Sequence, residues 1–146
     1  MASTTTLTPD EPAGTALQFQ SNPPHRILIV DDDNFFRRLN SQVLLRAGYA
    51  VDAAEDGAAA WEALGVEAYD LVITDNNMPN VSGVELLEKL HAAHMTLPVI
   101  MATGAPPDAE FTKQPWLQPT AMLLKPITAA VMVRTVKKVL REASLG

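Results

Sequence analysis

The chain has 146 residues, carries 11 Lys and Arg against 17 Asp and Glu for a net charge of −6, and has no cysteine. That length suits one domain with a core large enough to fold without covalent staples. The acidic balance argues against nucleic-acid binding, which would need a basic patch, and the missing thiols exclude disulfides, thiolate metal sites and a cysteine nucleophile.

Residues 1–24 hold Thr4, Thr5, Thr6, Thr8 and Thr15 with Pro9, Pro12, Pro23 and Pro24, and their apolar residues have no period. Such a segment cannot bury enough surface to offset its chain entropy, so a disordered N-terminal tail is expected ahead of a folded domain over 25–146. This N-terminus has neither the basic start nor the apolar stretch of a secretory signal, and the apolar runs are too short for membrane insertion. A cytoplasmic location is expected.

From residue 26 onward, apolar runs alternate with helical patterns. RILIV (26–30) is short, continuous and β-branched, as a strand covered on both faces should be. The segment 34–48 follows, with Phe36, Leu39 and Val43 at three- and four-residue steps and Gly48 placed to end a helix. YAVDAA (49–54) is a weaker strand, and GAAAWEALG (57–65) an Ala-rich helix with Trp61 and Leu64 on one face. DLVIT (70–74) is the third strand. A helix over 82–93 begins at Ser82, whose hydroxyl can accept from the first free amides. LPVIMAT (97–103) and AMLLK (121–125) are the fourth and fifth strands. The last helix, 128–143, has Thr128 as its cap and an apolar stripe of Val133, Val136 and Leu140.

Between the fourth and fifth strands lie Pro106, Pro107, Pro115 and Pro119. Proline interrupts a helix interior, so the fourth helix is expected to be short, about 107–114, and followed by an irregular segment. Trp116 in that segment is expected to pack under the loop as core.

Strand–helix alternation implies an α/β fold: a doubly wound five-stranded parallel sheet with helices on both faces. In such sheets the chemistry sits at the carboxyl ends of the strands. Asp31, Asp32 and Asp33 follow the first strand, and Asp75, Asn76 and Asn77 the third. Thr103 ends the fourth, and Lys125, followed by Pro126, ends the fifth. Alone, a Lys-Pro or Thr-Gly pair reads as a surface turn and a run of acids as a solvated loop or helix cap. Here each group falls at the end of a different core strand. Several carboxylates cannot share a small space as anions without a counter-charge. A divalent cation in an all-oxygen site is the usual remedy, and Mg²⁺ suits it. A metal–carboxylate site beside a Lys and a hydroxyl can receive phosphoryl oxygens, with one carboxylate as nucleophile.

The segments ILIVDDDNFFRRL, DLVITDNNMPNVSGVELL, PVIMATG and LLKPIT resemble the receiver domain of two-component response regulators, over about residues 25–143. The single-domain chemotaxis regulators are similar in layout. The resemblance implies a flavodoxin-like strand order 2-1-3-4-5. It implies that Asp75 is the phosphoacceptor, and that Mg²⁺ is held by Asp31, Asp32, Asp75 and the backbone carbonyl of Asn77. It implies that Thr103 hydrogen-bonds the phosphoryl group, that Lys125 pairs with it, and that the Lys125–Pro126 peptide is cis. Asp33 matches no such role and is assigned to the start of the first helix. The partners implied are a histidine kinase or histidine phosphotransfer protein as donor and an unknown downstream protein. The oligomeric state would be a monomer or a weak phosphorylation-dependent dimer. With no output domain expected after the last helix, the chain is expected to be a stand-alone switch rather than an enzyme.

Met122 stands where the family often has an aromatic residue, so the usual ring switch is in question, and Ala105 offers no polar group near the phosphoryl site. Two rivals remain. One is a receiver-like binding module that is not phosphorylated. The other is an aspartate-nucleophile phosphatase using Asp31, disfavoured because Phe35 follows Asp31-Asp32-Asp33-Asn34 and the chain has little room for a cap domain.

Overall fold

The computed structural model describes residues 5–7 and 23–145. The elements run β1 (Thr5–Leu7), β2 (Arg26–Val30), α1 (Asn34–Arg46), β3 (Ala50–Ala54), α2 (Gly57–Val66) and β4 (Leu71–Thr74), then α3 (Gly83–Ala92), β5 (Val99–Thr103), α4 (Asp108–Lys113), β6 (Ala121–Leu124) and α5 (Ala129–Leu145). The sheet order is β1-β3-β2-β4-β5-β6. Strands β2 to β6 are all parallel. Numbered by themselves, those five give the expected order 2-1-3-4-5.

The sixth strand was not foreseen. Thr5–Leu7 pairs antiparallel with β3, Thr5 opposite Ala53 and Leu7 opposite Val51. Three residues of the segment expected to be a disordered tail are therefore a sheet edge; residues 1–4 and 8–22 of that segment lie outside the described residues.

The central strands are buried along their whole length because helices cover both faces. The period of two along a strand divides the core in two. Leu28, Val30, Val72, Val99 and Met101 face a cluster completed by Ala60, Leu64, Val84, Leu86, Leu87 and Leu90 from α2 and α3. Ile27, Ile29, Leu71, Ile73 and Ile100 face the opposite cluster, completed by Leu44 of α1 and Met132, Val136, Val139 and Leu140 of α5.

Helix starts follow local chemistry. Asp33 caps α1, accepting from the amides of Phe35 at 2.9 Å and Phe36 at 3.2 Å. Ser82 forms a reciprocal capping box with Glu85. Thr128 accepts from the amide of Val131 at 3.2 Å. Gly48, with φ of 101°, takes the left-handed turn after α1.

Two expectations fail in informative ways. Leu39 is 45% exposed, and α1 instead buries Leu44 with Asn40 and Ser41. Those polar side chains donate back to the carbonyls of Phe36 and Arg37 within the helix, so each has a partner despite its burial. The fourth helix is short, as the prolines dictate, and a 3-10 turn at Pro115–Leu117 follows it. In that turn Leu117 takes the inward direction together with Phe111, and Trp116 is 59% exposed rather than core. Its ring lies 4.4 Å from that of His91 on α3.

Candidate functional site

The parallel register brings the strand ends level. Val30 is opposite Thr74, Thr74 opposite Met101, and Thr103 opposite Leu124. The residues that follow these ends therefore meet at one edge of the sheet, where the ladder still holds their backbones: the amides of Asp31, Asp75 and Lys125 donate to the carbonyls of Ala54, Val30 and Thr103 at 3.2, 3.1 and 3.0 Å.

Asp31 is fully buried and Asp75 nearly so, while Asp32 is exposed at the mouth. One carboxylate oxygen from each of the three lies within 4.8 Å of the others, close enough to hold a cation. Lys125 reaches across from the end of β6. Its Nζ is 2.7 Å from Asp31 Oδ2 and 3.3 Å from Asp75 Oδ2. The other oxygen of each buried acid accepts a backbone amide: Asp33 to Asp31 Oδ1 at 2.8 Å, and Asn76 to Asp75 Oδ1 at 2.6 Å. The peptide after Lys125 is cis.

Burial pushes the Asp31 carboxyl above its ordinary range, and the hydrogen bond from Lys125 recovers only part of the difference. Burial also works against the charge on Lys125, but there the bond to Asp31 and the proximity of Asp75 prevail and its pKa rises. The pocket thus holds a fixed positive charge among acids that repel each other.

Thr103 is fully buried at the end of β5, and its hydroxyl accepts the amide of Ala105 at 3.3 Å. No hydrogen bond joins it to Asp75 among the described residues. Asn77 is exposed in the turn after Asp75. That turn is stitched to α3: the Gly83 amide donates to the Asn76 carbonyl at 3.0 Å, and the Val84 amide to Asn76 Oδ1 at 3.0 Å.

Two contributors escaped the sequence reading. Arg37 Nη1 donates to the Asp31 carbonyl at 2.6 Å, and its other terminal nitrogen to Asn34 Oδ1. The ring of Phe36 lies 4.0 Å from Lys125 Nζ. Phe36 was legible only as a member of an apolar stripe; its position one turn past the acidic run was the available clue.

A second charged cluster lies toward the start of β2. Asp52, 1% exposed, accepts from Arg26 Nη2 at 2.8 Å and Nε at 3.0 Å and from the Tyr69 hydroxyl at 2.6 Å. A groove of about 750 Å³ opens at the amino ends of β4 and β5, lined by segments 64–70 and 94–98. It contains none of the carboxylates, hydroxyl or ammonium of the carboxyl edge. Its lining includes Glu67, Asp70 and His94 but no lysine or arginine, so it lacks the cation that phosphoryl oxygens need.

A domain of this topology, with acids and a lysine gathered at the carboxyl edge, matches a known class. The family model for the response regulator receiver domain matches residues 27–137. The chain belongs to that family. It is 32% identical over 121 residues to the 3',5'-cyclic-nucleotide phosphodiesterase regA of Dictyostelium discoideum, covering 80% of this chain and 15% of that protein. It is 37% identical over 117 residues to the sensor histidine kinase RcsC of Salmonella typhimurium, covering 79% and 12%. Against the transcriptional regulatory protein ResD of Bacillus subtilis it is 37% identical over 120 residues, covering 82% and 49%. The chain thus spans less than half the length of these relatives. Among solved structures, the CheY-like receiver domain protein from Methanospirillum hungatei JF-1 is 29% identical with a TM-score of 0.78, covering 84% of this chain and 99% of that one. Vibrio cholerae chemotaxis protein CheY4 is 27% identical with a TM-score of 0.73, covering 80% and 98%. No helix among the described residues is long and apolar enough to cross a membrane.

Proposed function

We propose that this receiver domain of two-component signalling is a phosphoacceptor switch in which Asp75 receives the phosphoryl group. The observation that carries the reading is the position of Lys125, bridging Asp31 at 2.7 Å and Asp75 at 3.3 Å beside an open acidic mouth.

Asp75 Oδ attacks phosphorus in line; the new O–P bond forms as the P–N bond to a donor imidazole breaks, and the electron pair leaves with the imidazole. Lys125 shifts from the two carboxylates toward the incoming phosphoryl oxygens. The Thr103 hydroxyl, whose proton is not used by the Ala105 contact, donates to one of them. Asp31, Asp32, Asp75 and the Asn77 carbonyl form an all-oxygen donor set that suits Mg²⁺, and three of these groups already lie within 4.8 Å of one another. Bound there, Mg²⁺ would neutralise charge on the acids and on the equatorial oxygens.

Donor and output are proposed at the level of chemistry. The donor is a phosphohistidine of a kinase or phosphotransfer protein, and the output is altered binding of a downstream protein, with no turnover of a diffusible substrate. A stand-alone arrangement in the cytoplasm is the preferred form, by analogy with chemotaxis protein CheY4 of Vibrio cholerae, which the domain resembles in fold.

Acetyl phosphate with Mg²⁺, followed by mass spectrometry of the modified residue, tests the reading. A Mg²⁺-dependent phosphoryl group on Asp75, absent in Asp75→Asn, is the expected result. Label on Asp31 instead would support the phosphatase-like chemistry, and no label with any donor would leave a binding module.

A further inference from the structure

We propose that Phe36 is a positioning residue for Lys125, holding its ammonium against the acid pocket through the face of the ring. This deepens the phosphoacceptor reading and rests on it where phosphorylation rate is concerned.

The ring centroid is 4.0 Å from Lys125 Nζ, well inside the range at which a cation is attracted by an aromatic face. Phe36 is half-buried and packs on the cluster beneath α1 and α5, so its ring is braced from below. The ammonium then has three neighbours: Asp31 at 2.7 Å, Asp75 at 3.3 Å and the ring. Each restricts a different direction. A lysine has four flexible bonds, and two carboxylates alone leave its head free to swing outward into water. The ring occupies one flank of the head, excludes water there and favours the cation electrostatically.

The first turn of α1 fits this duty. Asp33 caps the helix with its side chain, and its amide donates to Asp31 Oδ1. Arg37, the next residue after Phe36, donates to the Asp31 carbonyl. The turn that carries the ring is therefore fixed to the acid that Lys125 contacts most closely. The ring acts through Lys125.

The test compares Phe36→Leu, which keeps an apolar side chain without the π face, with Phe36→Tyr, which keeps the face. Both are first checked for an unchanged fold by amide NMR. The first readout is the NMR shift of the Lys125 ε-methylene and ammonium in lysine-labelled protein, measured without any phosphoryl donor. The ring current moves these signals upfield in the wild type; Phe36→Leu should lose the displacement and Phe36→Tyr should keep it. The second readout is phosphorylation by acetyl phosphate with Mg²⁺. Phe36→Leu should lower the saturated rate roughly two- to tenfold with little change in half-saturating concentration, and Phe36→Tyr should restore it. An unchanged Lys125 shift in Phe36→Leu overturns the proposal. So does a wild-type rate in folded Phe36→Leu, or a Tyr variant as slow as the Leu variant. A wild-type protein that takes no phosphoryl group overturns the phosphoacceptor reading instead, and the donor-free shift still decides the contact between Phe36 and Lys125.

Discussion

Asp31 is buried at a position where its charge is disfavoured, and Lys125 offsets that only in part. A carboxyl whose folded pKa lies above its unfolded value contributes stability that is complete below the unfolded value and lost as pH rises through the folded one. With EDTA present, Asp31 should therefore make the fold less stable as pH rises from the carboxylate range toward neutrality. Asp31→Asn should flatten that dependence and raise stability at pH 7 by about 1 kcal/mol, read as a higher urea midpoint. A lower midpoint for the variant would show that the pair with Lys125 outweighs burial. Asp52 is a second buried acid, with more partners. It is as deeply buried but holds two nitrogens of Arg26 and the hydroxyl of Tyr69, whose pKa is pushed up chiefly by burial and then by that hydrogen bond. Among the described residues, one of its oxygens, Oδ1, has no hydrogen-bond partner. Asp52→Ala removes the acceptor and strands the donors, so it should cost about 2–4 kcal/mol in urea unfolding. An effect within 0.5 kcal/mol, the ordinary range for a surface substitution, would mean that water replaces the carboxylate without penalty.

At the scale of an element, α3 controls the loop that carries Asp75. Its first residue, Gly83, is so close to that loop that an added Cβ would lie 2.4 Å from the Asp75 carbonyl oxygen and 2.9 Å from Asn76 Cα. Both are backbone atoms, and neither can turn aside as a side-chain end can. Gly83→Ala should destabilise the domain by about 1–3 kcal/mol and slow phosphorylation of Asp75, since relief of the clash must displace the loop. Gly65 gives the control. It lies in α2 with no described atom beyond its own helix backbone and chain neighbours within 4 Å of an added Cβ, so Gly65→Ala should stabilise by about 0.5–1 kcal/mol. Thermal melts of the two variants, with acetyl phosphate labelling, check both signs; equal shifts would refute the distinction. The fourth helix shows an element set by exclusion. Pro106 and Pro107 confine its start and Pro115 its end, leaving the six residues Asp108–Lys113.

Across the whole molecule, the parts most legible in the sequence are those governed by periodicity and by strand ends. Continuous apolar runs become fully buried central strands, and the residues just after them meet at one edge because parallel register aligns those ends. What escaped depends on direction rather than order. An apolar period marks Leu39, and a large apolar ring beneath a loop marks Trp116, as core candidates, but the azimuth of α1 and the tightness of the turn at Pro115–Leu117 point both outward. In the sequence Asp52 is one residue of a weak strand, since nothing local announces that Arg26 and Tyr69 will converge on it. The pairing of Thr5–Leu7 with β3 carries no local signal either, because a backbone ladder is indifferent to sequence. The placement of the aromatic rings has an optical consequence. The chain has two tryptophans. Trp61 lies under the ammonium of Lys89, and Trp116 lies against His91. Both indoles therefore look onto α3, and neither looks onto the α1–α5 side. Emission would register a phosphorylation-driven change only where it travels through α3. His91→Ala should alter Trp116 emission in the resting protein, and acetyl phosphate with Mg²⁺ should do so only if α3 or its neighbouring turn moves. A rearrangement confined to α1 and α5 would be dark.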